Sequence, residues 1–397
     1  MIVRAEDVRA PGWFAAAAGV FAIGMAGTTL PTPLYGLYRE QIGFSELMVT
    51  IVFAVYAVGV IAALLVAGDF SDILGRRPIL FVALGLSVLS AVCFLCEGGL
   101  PLLFAGRLLS GFSAGLLSGT ATAAVLELAP PDRKPTAALA ATAANMGGLG
   151  CGPLLSGLLA EYAPWPLRLP YAVHIGLLTI ALAVTLALPE TVTPRGPRPR
   201  LRPQGMVVPK ETRAVFVPAG LAAFAGFSVL GLFTAVAPGF LAETLHEDNL
   251  AVVGAVVFSV FCASTIGQSL TRRVGTQRAL PVGCLVLTAG MGLVAASLAA
   301  ESLPVLVVGA IVAGLGQGLA FRAALGSVGE VAPEDRRGAT ISAFFVVAYT
   351  GISLPVVGVG ALATGIGLRG AGLVFAGCVI VLAAGVAALL LRRLARR

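Results

Sequence analysis

The stretch Gly68-Asp-Phe-Ser-Asp72-Ile-Leu-Gly75-Arg76-Arg77-Pro78 separates two long apolar runs, near residues 46–67 and 78–97. A helix needs roughly 20 residues to cross about 30 Å of hydrocarbon, and each run is long enough. The charges between them must then sit at a membrane surface. Gly68 lets helices approach closely, and Gly75 permits a sharp turn. Asp72 beside Arg76 and Arg77 can pair within the loop or reach a facing helix end, where an acid satisfies orphan N–H groups. Such ionic contacts are individually modest and breakable, which suits a gate.

The rest of the chain has the same character. Of 397 residues, 58% are hydrophobic and 11% charged, and the mean hydropathy is +0.98. A soluble domain carries about 25% charged residues, so lipid must be the solvent over most of this surface. Fifty glycines and 24 prolines are tolerated in membrane helices, where neighbours re-satisfy the backbone. The six cysteines (Cys93, Cys96, Cys151, Cys262, Cys284, Cys378) lie in apolar stretches and read as small hydrophobes. With the two histidines, His174 and His246, they build no metal site, and no metal or cofactor is expected.

Twelve spans are expected, near 12–34, 46–67, 78–97, 100–127, 136–162 and 167–188, then 214–241, 249–271, 278–300, 303–330, 338–363 and 368–391. The first is longer than the core of a cleavable signal and reads as a retained span. Lys and Arg set the orientation. One set of connecting segments holds 21 of them: Arg4, Arg9, Arg76, Arg77, Arg133, Lys134, the six of the central loop, Arg272, Arg273, Arg278, Arg336, Arg337 and the four at the tail. The opposite set has Arg39, Arg168 and Arg369, while Arg107 and Arg322 fall inside spans. Both termini are therefore expected in the cytoplasm, with the chain in the plasma (inner) membrane. The expected domains are a six-helix bundle over 1–188, a cytoplasmic linker over 189–213, and a second six-helix bundle over 214–397. The linker is rich in Pro and Arg, so contact with anionic lipid headgroups is an alternative to a free tether.

The halves repeat. Glu127-Leu-Ala-Pro-Pro-Asp-Arg-Lys134 and Glu330-Val-Ala-Pro-Glu-Asp-Arg-Arg337 share Glu, Ala, Pro, Asp and Arg at an offset of 203. Gly148 then maps to Gly351 and Gly157 to Gly360. Two halves in one orientation, related by an axis along the membrane normal, form one of the repeat patterns of secondary transporters.

On these residues the chain resembles the major facilitator superfamily. The loop at 68–78 is similar to the family's signature between spans 2 and 3, departing at Ile73, where a basic residue is usual. The resemblance implies the major facilitator fold: an all-α membrane protein with twelve transmembrane helices in two pseudo-symmetric six-helix bundles. It also implies that Gly68, Asp72, Gly75, Arg76 and Arg77 lock the outward-open state. The acidic-to-basic clusters, Glu127 with Arg133 and Glu330 with Arg336, can bridge helix ends to the same gate. Gly267-x-x-x-Thr271-Arg272-Arg273-Val-Gly275 is a decayed copy lacking the acid.

Arg107-x-x-x-Gly111-x-x-x-Gly115-x-x-x-Gly119 puts an arginine over a glycine groove on one helix face. A charge inside a span is a functional hypothesis by default, and carbonyl bonding is the structural alternative. The stretch resembles the family's span 4 motif, where this arginine is tied to proton coupling. Gly148-x-x-x-Gly152-Pro153-x-x-Ser156-Gly157 resembles the span 5 signature of the drug:proton antiporters, departing at Leu139 and Ser156. Its residues also suit plain tight packing with a proline kink.

No acid sits in the middle of a span. Proton coupling is thus implied by resemblance, with Asp69, Asp72, Glu46 and His174 as candidate carriers. Arg107, Arg322, Tyr35, Asn145, Gln268, Gln317 and Tyr349 are the expected cavity residues, and this set suits anionic or neutral cargo. An enzyme is not expected, since no nucleophile, acid pair or phosphate loop shares a depth. The expected function is secondary active transport of a small molecule by alternating access. Efflux of drug-like or metabolite substrates by proton antiport is the leading reading. Uptake or facilitated passage of a small anionic or neutral nutrient is the alternative. The expected partners are the cargo and the bilayer, with no nucleic acid, and the expected state is a monomer.

Overall fold

Long runs of Ala, Leu, Val and Gly can satisfy their backbone polar groups in lipid only by forming helices. In a computed structural model the described residues, 11–67, 70–192 and 208–395, are helical with short connections and contain no strand. Gly68 and Asp69 of the first loop lie outside the described residues, as does most of the linker.

The crossing helices are α1 Pro11–Thr29, α2 Glu46–Ala67, α3 Arg76–Leu95, α4 Gly99–Leu128, α5 Lys134–Tyr162 and α6 Leu169–Ala187. In the second half α7 begins at Arg213–Gly231 and continues through two π-helical turns, Leu232–Val236 and Phe240–Thr244. Then follow α8 Leu250–Val274, α9 Thr276–Ala300 and α10 Leu303–Val331. The last helical stretch, Arg337–Ala395, is broken at Gly367 (φ 75°), giving α11 over 337–366 and α12 over 368–395. Twelve crossings therefore stand among the described residues, within a few residues of the expected bounds. The π turns flank Pro238, whose missing N–H cannot continue an α-helical ladder. Asn249 starts α8 by accepting from the N–H groups of Ala251 and Val252 at 2.9 and 3.1 Å.

The described residues form two compact units. The first comprises those within Met1–Leu34 and Val58–Gln204, the second those within Tyr35–Ala57 and Gly205–Arg397. This division departs from a simple split at the linker. The short helix Tyr35–Ile42 and the first half of α2 belong with the second unit, held there by charge and packing. Arg39 pairs with Glu46 and, at 3.0 Å, with Glu243. Gly360 of α11 leaves no room beside Thr50 and Leu47 of α2.

Each unit repeats the other's construction. The loops before α5 and α11 each form a single 3-10 turn, Pro131–Arg133 and Glu334–Arg336, entered through extended Pro130 and Pro333. A Cβ on Gly148 of α5 would lie 2.5 Å from the Ala22 carbonyl of α1. One on Gly351 of α11 would lie 2.5 Å from the Phe224 carbonyl of α7. Backbones touch at both crossings, which is how membrane helices gain dispersion contact in the absence of a hydrophobic drive.

Proline is handled as lipid demands. Pro153 lies inside α5 and cannot bond the carbonyl of Leu149. The hydroxyl of Thr29 on α1 donates to that carbonyl at 2.6 Å. A freed backbone acceptor is thus satisfied by a neighbouring helix.

Candidate functional site

At the arginine-rich end of the first unit, Arg76 gathers the loop. Its Nη2 and Nε donate to the two oxygens of Glu127 at 2.8 and 3.2 Å, a two-pronged contact with the end of α4. Its Nη1 lies 2.5 Å from Asp72 and donates to Ser71 Oγ at 2.6 Å. A planar guanidinium facing one carboxylate with two N–H groups is the strong form of this interaction. Glu127 is therefore the partner of Arg76; Arg133, its expected partner, is exposed. Glu330 and Arg336 are exposed at the equivalent place in the second unit.

Two residues of this latch escaped the sequence reading. Glu190, just beyond α6, accepts from the backbone N–H groups of Arg76 at 2.9 Å and Arg77 at 3.0 Å. It thereby supplies the anion that the start of α3 lacks among its own residues. Thr191 donates to Glu127 at 2.5 Å. Of the two expectations for Asp72, pairing within the loop is the one seen: it sits on Arg76. The φ of Gly75 is 105°, and a Cβ there would lie 2.6 Å from Glu190 Oε2. Only glycine meets both demands.

Inside the first unit, Arg107 is 1% exposed and donates from Nη1 to the Thr28 carbonyl at 2.6 Å. It is thus a buried cation bonded to a backbone carbonyl. Below it α4 packs against α2: a Cβ on Gly115 would lie 2.6 Å from Ala63 Cβ and 3.0 Å from the Val60 carbonyl. Gly111 Cα lies 3.0 Å from where a Gly59 side chain would begin. Gly152, Pro153 and Gly157 are buried, and Gly152 rides on α1 beside Thr29. The same unit holds Asn145, whose buried Oδ1 accepts no hydrogen bond.

The remaining cavity candidates lie in the second unit. Ser264 donates to Gln317 Oε1 at 2.6 Å and accepts from Gln268 Nε2 at 3.4 Å. The Nε2 of Gln317, a residue 1% exposed, has no partner. Tyr349 belongs to an aromatic group on several helices, with ring centroids 5.5 Å from Phe227 and 6.3 Å from Tyr56, and Phe227 lies 5.2 Å from Phe321. A Cβ on Gly226 would lie 3.0 Å from Gln317 Cγ, so amides and rings meet along α7. Tyr35 is buried, whereas Arg322 is exposed. The Ser264–Gln268 contact follows from their i, i+4 spacing in the sequence, whereas Gln317 reaches Ser264 from another helix, 53 residues away.

The far end carries the three arginines of the arginine-poor segments, and each has a carboxylate. Arg39 has Glu46 and Glu243. Arg168 meets Glu97 at 2.8 Å, and Arg369 meets Glu301 at 2.7 Å. The last two pairs are counterparts. Glu97 and Glu301 both follow the third helix of their unit in the left-handed conformation, φ 49° and 52°, and both hold an arginine at the start of the sixth.

Comparison with known proteins agrees with this architecture. MdtD of Escherichia coli (strain K12), a protein named for multidrug resistance, is 28% identical over 172 residues, which is 43% of this chain and 36% of that protein. The chain thus matches about a third of that relative's length. Among solved structures, the human organic anion transporter MFSD10 (TETRAN) superposes with a TM-score of 0.68 at 17% identity, over 94% of this chain and 98% of that one. A peptide transporter POT in complex with sulfate gives 0.76 at 14% identity, over 96% and 94%. The family model for the Major Facilitator Superfamily matches residues 13–354. The chain is a multi-pass membrane protein, and it belongs to the Major Facilitator Superfamily.

Proposed function

We propose that this transporter exports amphiphilic small molecules of neutral or anionic character by alternating access and proton antiport. It does so as a monomer in the plasma (inner) membrane, with both termini in the cytoplasm. The observation that carries the mechanistic part is the Arg76 latch. One guanidinium joins Asp72 and Glu127, at 2.5 and 2.8 Å, in a cluster that is half open to solvent. Even a two-pronged charged contact of about 1.5–3 kcal/mol, with Asp72 and Glu127 partly solvated, is small enough to be made and broken in each cycle. The direction of transport rests on the partial likeness to MdtD and on the span 5 motif. The cargo class rests on the second unit, which holds the rings of Phe227, Phe321 and Tyr349 and the unpartnered Nε2 of Gln317, whose Cγ lies beside Gly226. Rings offer apolar area, and the amide offers a donor for a carbonyl or carboxylate. The described spans hold no mid-membrane carboxylate to attract an organic cation.

Inside-out vesicles, loaded by an imposed pH gradient and screened with fluorescent amphiphiles of each charge, test the reading. Accumulation that collapses with the gradient, and competition strongest from neutral or acidic compounds, are expected. Cationic dyes outcompeting all others would overturn the cargo class. Loss of growth on a single nutrient after gene deletion, with no change in drug sensitivity, would replace export by uptake.

A further inference from the structure

The two units differ in charge at their arginine-rich ends. In the first, the described turns and helix ends carry four cations (Arg76, Arg77, Arg133, Lys134) and four acids (Asp72, Glu127, Asp132, Glu190). In the second they carry nine cations and four acids. Three of those acids, Glu330, Glu334 and Asp335, stand at the α10–α11 turn with Arg336 and Arg337. The surplus therefore lies on α7, α9 and α12, with Glu211 the one acid at their near ends. The ends of α6 and α12 show the contrast directly: Glu190 follows α6, whereas α12 ends in Arg392 and Arg393.

These cations stand on the faces that meet hydrocarbon. Residues three or four apart share a helix face. Arg213, Val217 and Leu221 form the exposed stripe of α7. Arg278, Leu285 and Ala289 form that of α9, and Val381, Gly385, Ala388 and Arg392 that of α12. Val217, Leu285 and Val381 are 52%, 46% and 73% exposed, an apolar surface that lipid must cover. Each stripe thus runs through hydrocarbon and finishes in an arginine at headgroup level. The three helices are neighbours. At the far end a Cβ on Gly372 of α12 would lie 2.5 Å from Phe240 of α7 and 2.8 Å from Leu298 of α9. At the near end Arg393 donates to the Ala214 carbonyl of α7 at 2.7 Å. Arg213, Arg278 and Arg392 are exposed and meet no carboxylate among the described residues.

Helix capping accounts for only part of this. A cation at the end of α12 suits the helix dipole, but Arg213 and Arg278 stand in the first turns of α7 and α9, where a cation opposes it. An external anion over the rim would offset that cost. Gly385 points the same way: it is exposed, and a Cβ there would meet nothing within 4 Å. Packing inside the protein does not ask for glycine at that place, whereas a flat strip above Arg392 suits an acyl chain. We propose that the α7–α12–α9 rim of the second unit binds anionic phospholipid. Its phosphates sit among Arg213, Arg278 and Arg392, and its chains lie along the stripes above them. Guanidinium groups suit the task because their N–H forks match two phosphate oxygens at once. The assignment needs neither export nor proton antiport.

Native mass spectrometry of the full chain, with phosphatidylglycerol or phosphatidylcholine of the same acyl chains, tests the site. The wild type should hold phosphatidylglycerol about tenfold more tightly, since each basic residue near an anionic headgroup adds its own attraction. A triple variant, Arg213→Gln, Arg278→Gln and Arg392→Gln, should lose that preference. Arg393 is left in place because it holds the Ala214 carbonyl. Lysine at the same three positions keeps the charge, and should keep the preference even if the glutamine variant folds poorly. A second triple, Arg133→Gln, Arg336→Gln and Arg337→Gln, removes as much charge from the turns before α5 and α11 and should leave the preference intact. Equal binding of the two lipids by the wild type overturns the site, as does equal loss in the two glutamine triples. Loss in the lysine variant overturns it too. Displacement of phosphatidylglycerol by inorganic phosphate would make the rim a site for soluble anions and overturn the lipid assignment.

Discussion

The loop between α2 and α3 and its counterpart between α8 and α9 began as one design and have diverged. Both turn on a glycine with positive φ, Gly75 at 105° and Gly275 at 86°. Both place two arginines at the turn. In the first loop Arg76 is held by Asp72 and Glu127, and Glu190 closes on the backbone. In the second, Arg272 and Arg273 are exposed and meet no carboxylate among the described residues. At the far end the units agree, each with its Glu–Arg pair. The fold needs the turn twice and the far-end pairs twice. It keeps the acidic latch once, as the proposed gating role would have it.

Replacing arginines is the sharpest way to break that contrast. Arg76→Ala should cut vesicle flux about tenfold or more, equivalent to ~1.4 kcal/mol, while Arg272→Ala and Arg273→Ala stay within about twofold. Equal losses at the two loops would show the latch to be plain surface charge. The next effect belongs to the proline in α5. Thr29→Val orphans the Leu149 carbonyl and should lower unfolding stability in detergent by about 1–3 kcal/mol, with Thr29→Ser close to wild type. Loss in the Ser variant as well would point to the methyl group and not the hydroxyl. Alanine at Gly75 and at Gly275 should each cost about 1–2 kcal/mol for backbone strain. Gly75→Ala should be the worse of the two, because only there does the new Cβ meet Glu190. Least should come from Glu97→Gln and Glu301→Gln, about 0–1 kcal/mol each, alike in the two units and additive when combined. A large effect from one alone would mean that its pair does more than hold two helices together.

The sequence made some of this legible and concealed the rest for a physical reason. Hydrophobic length revealed the spans, and the polar repeat at an offset of 203 revealed the two halves, because both are local patterns. The matched contacts of Gly148 and Gly351 follow from that repeat. Partner choice was not local. Arg133 stands six residues from Glu127 and invited pairing, yet the guanidinium that reaches Glu127 comes from 51 residues away. Glu190 lies more than 110 residues from the helix it starts, and Thr29 lies 120 from the carbonyl it satisfies. Such contacts are set by which helix ends the bundle brings together. The turn in α7 and the union of Tyr35–Ala57 with the second unit were hidden for the same reason. Arg107 was legible as a buried charge, but its carbonyl partner could be named only after α1 was in place.

One consequence follows from where Glu190 and Thr191 are fastened. The chain leaving α6 does not swing free at once: residues 189–192 are stitched to the start of α3 and the end of α4 by the same atoms that close the Arg76 cluster. Undoing those stitches lengthens the leash to the second half by four residues, about 13 Å at full extension. Slack and release are therefore one event, so the length of the linker and the closure of the Arg76 cluster are coupled through Glu190 and Thr191.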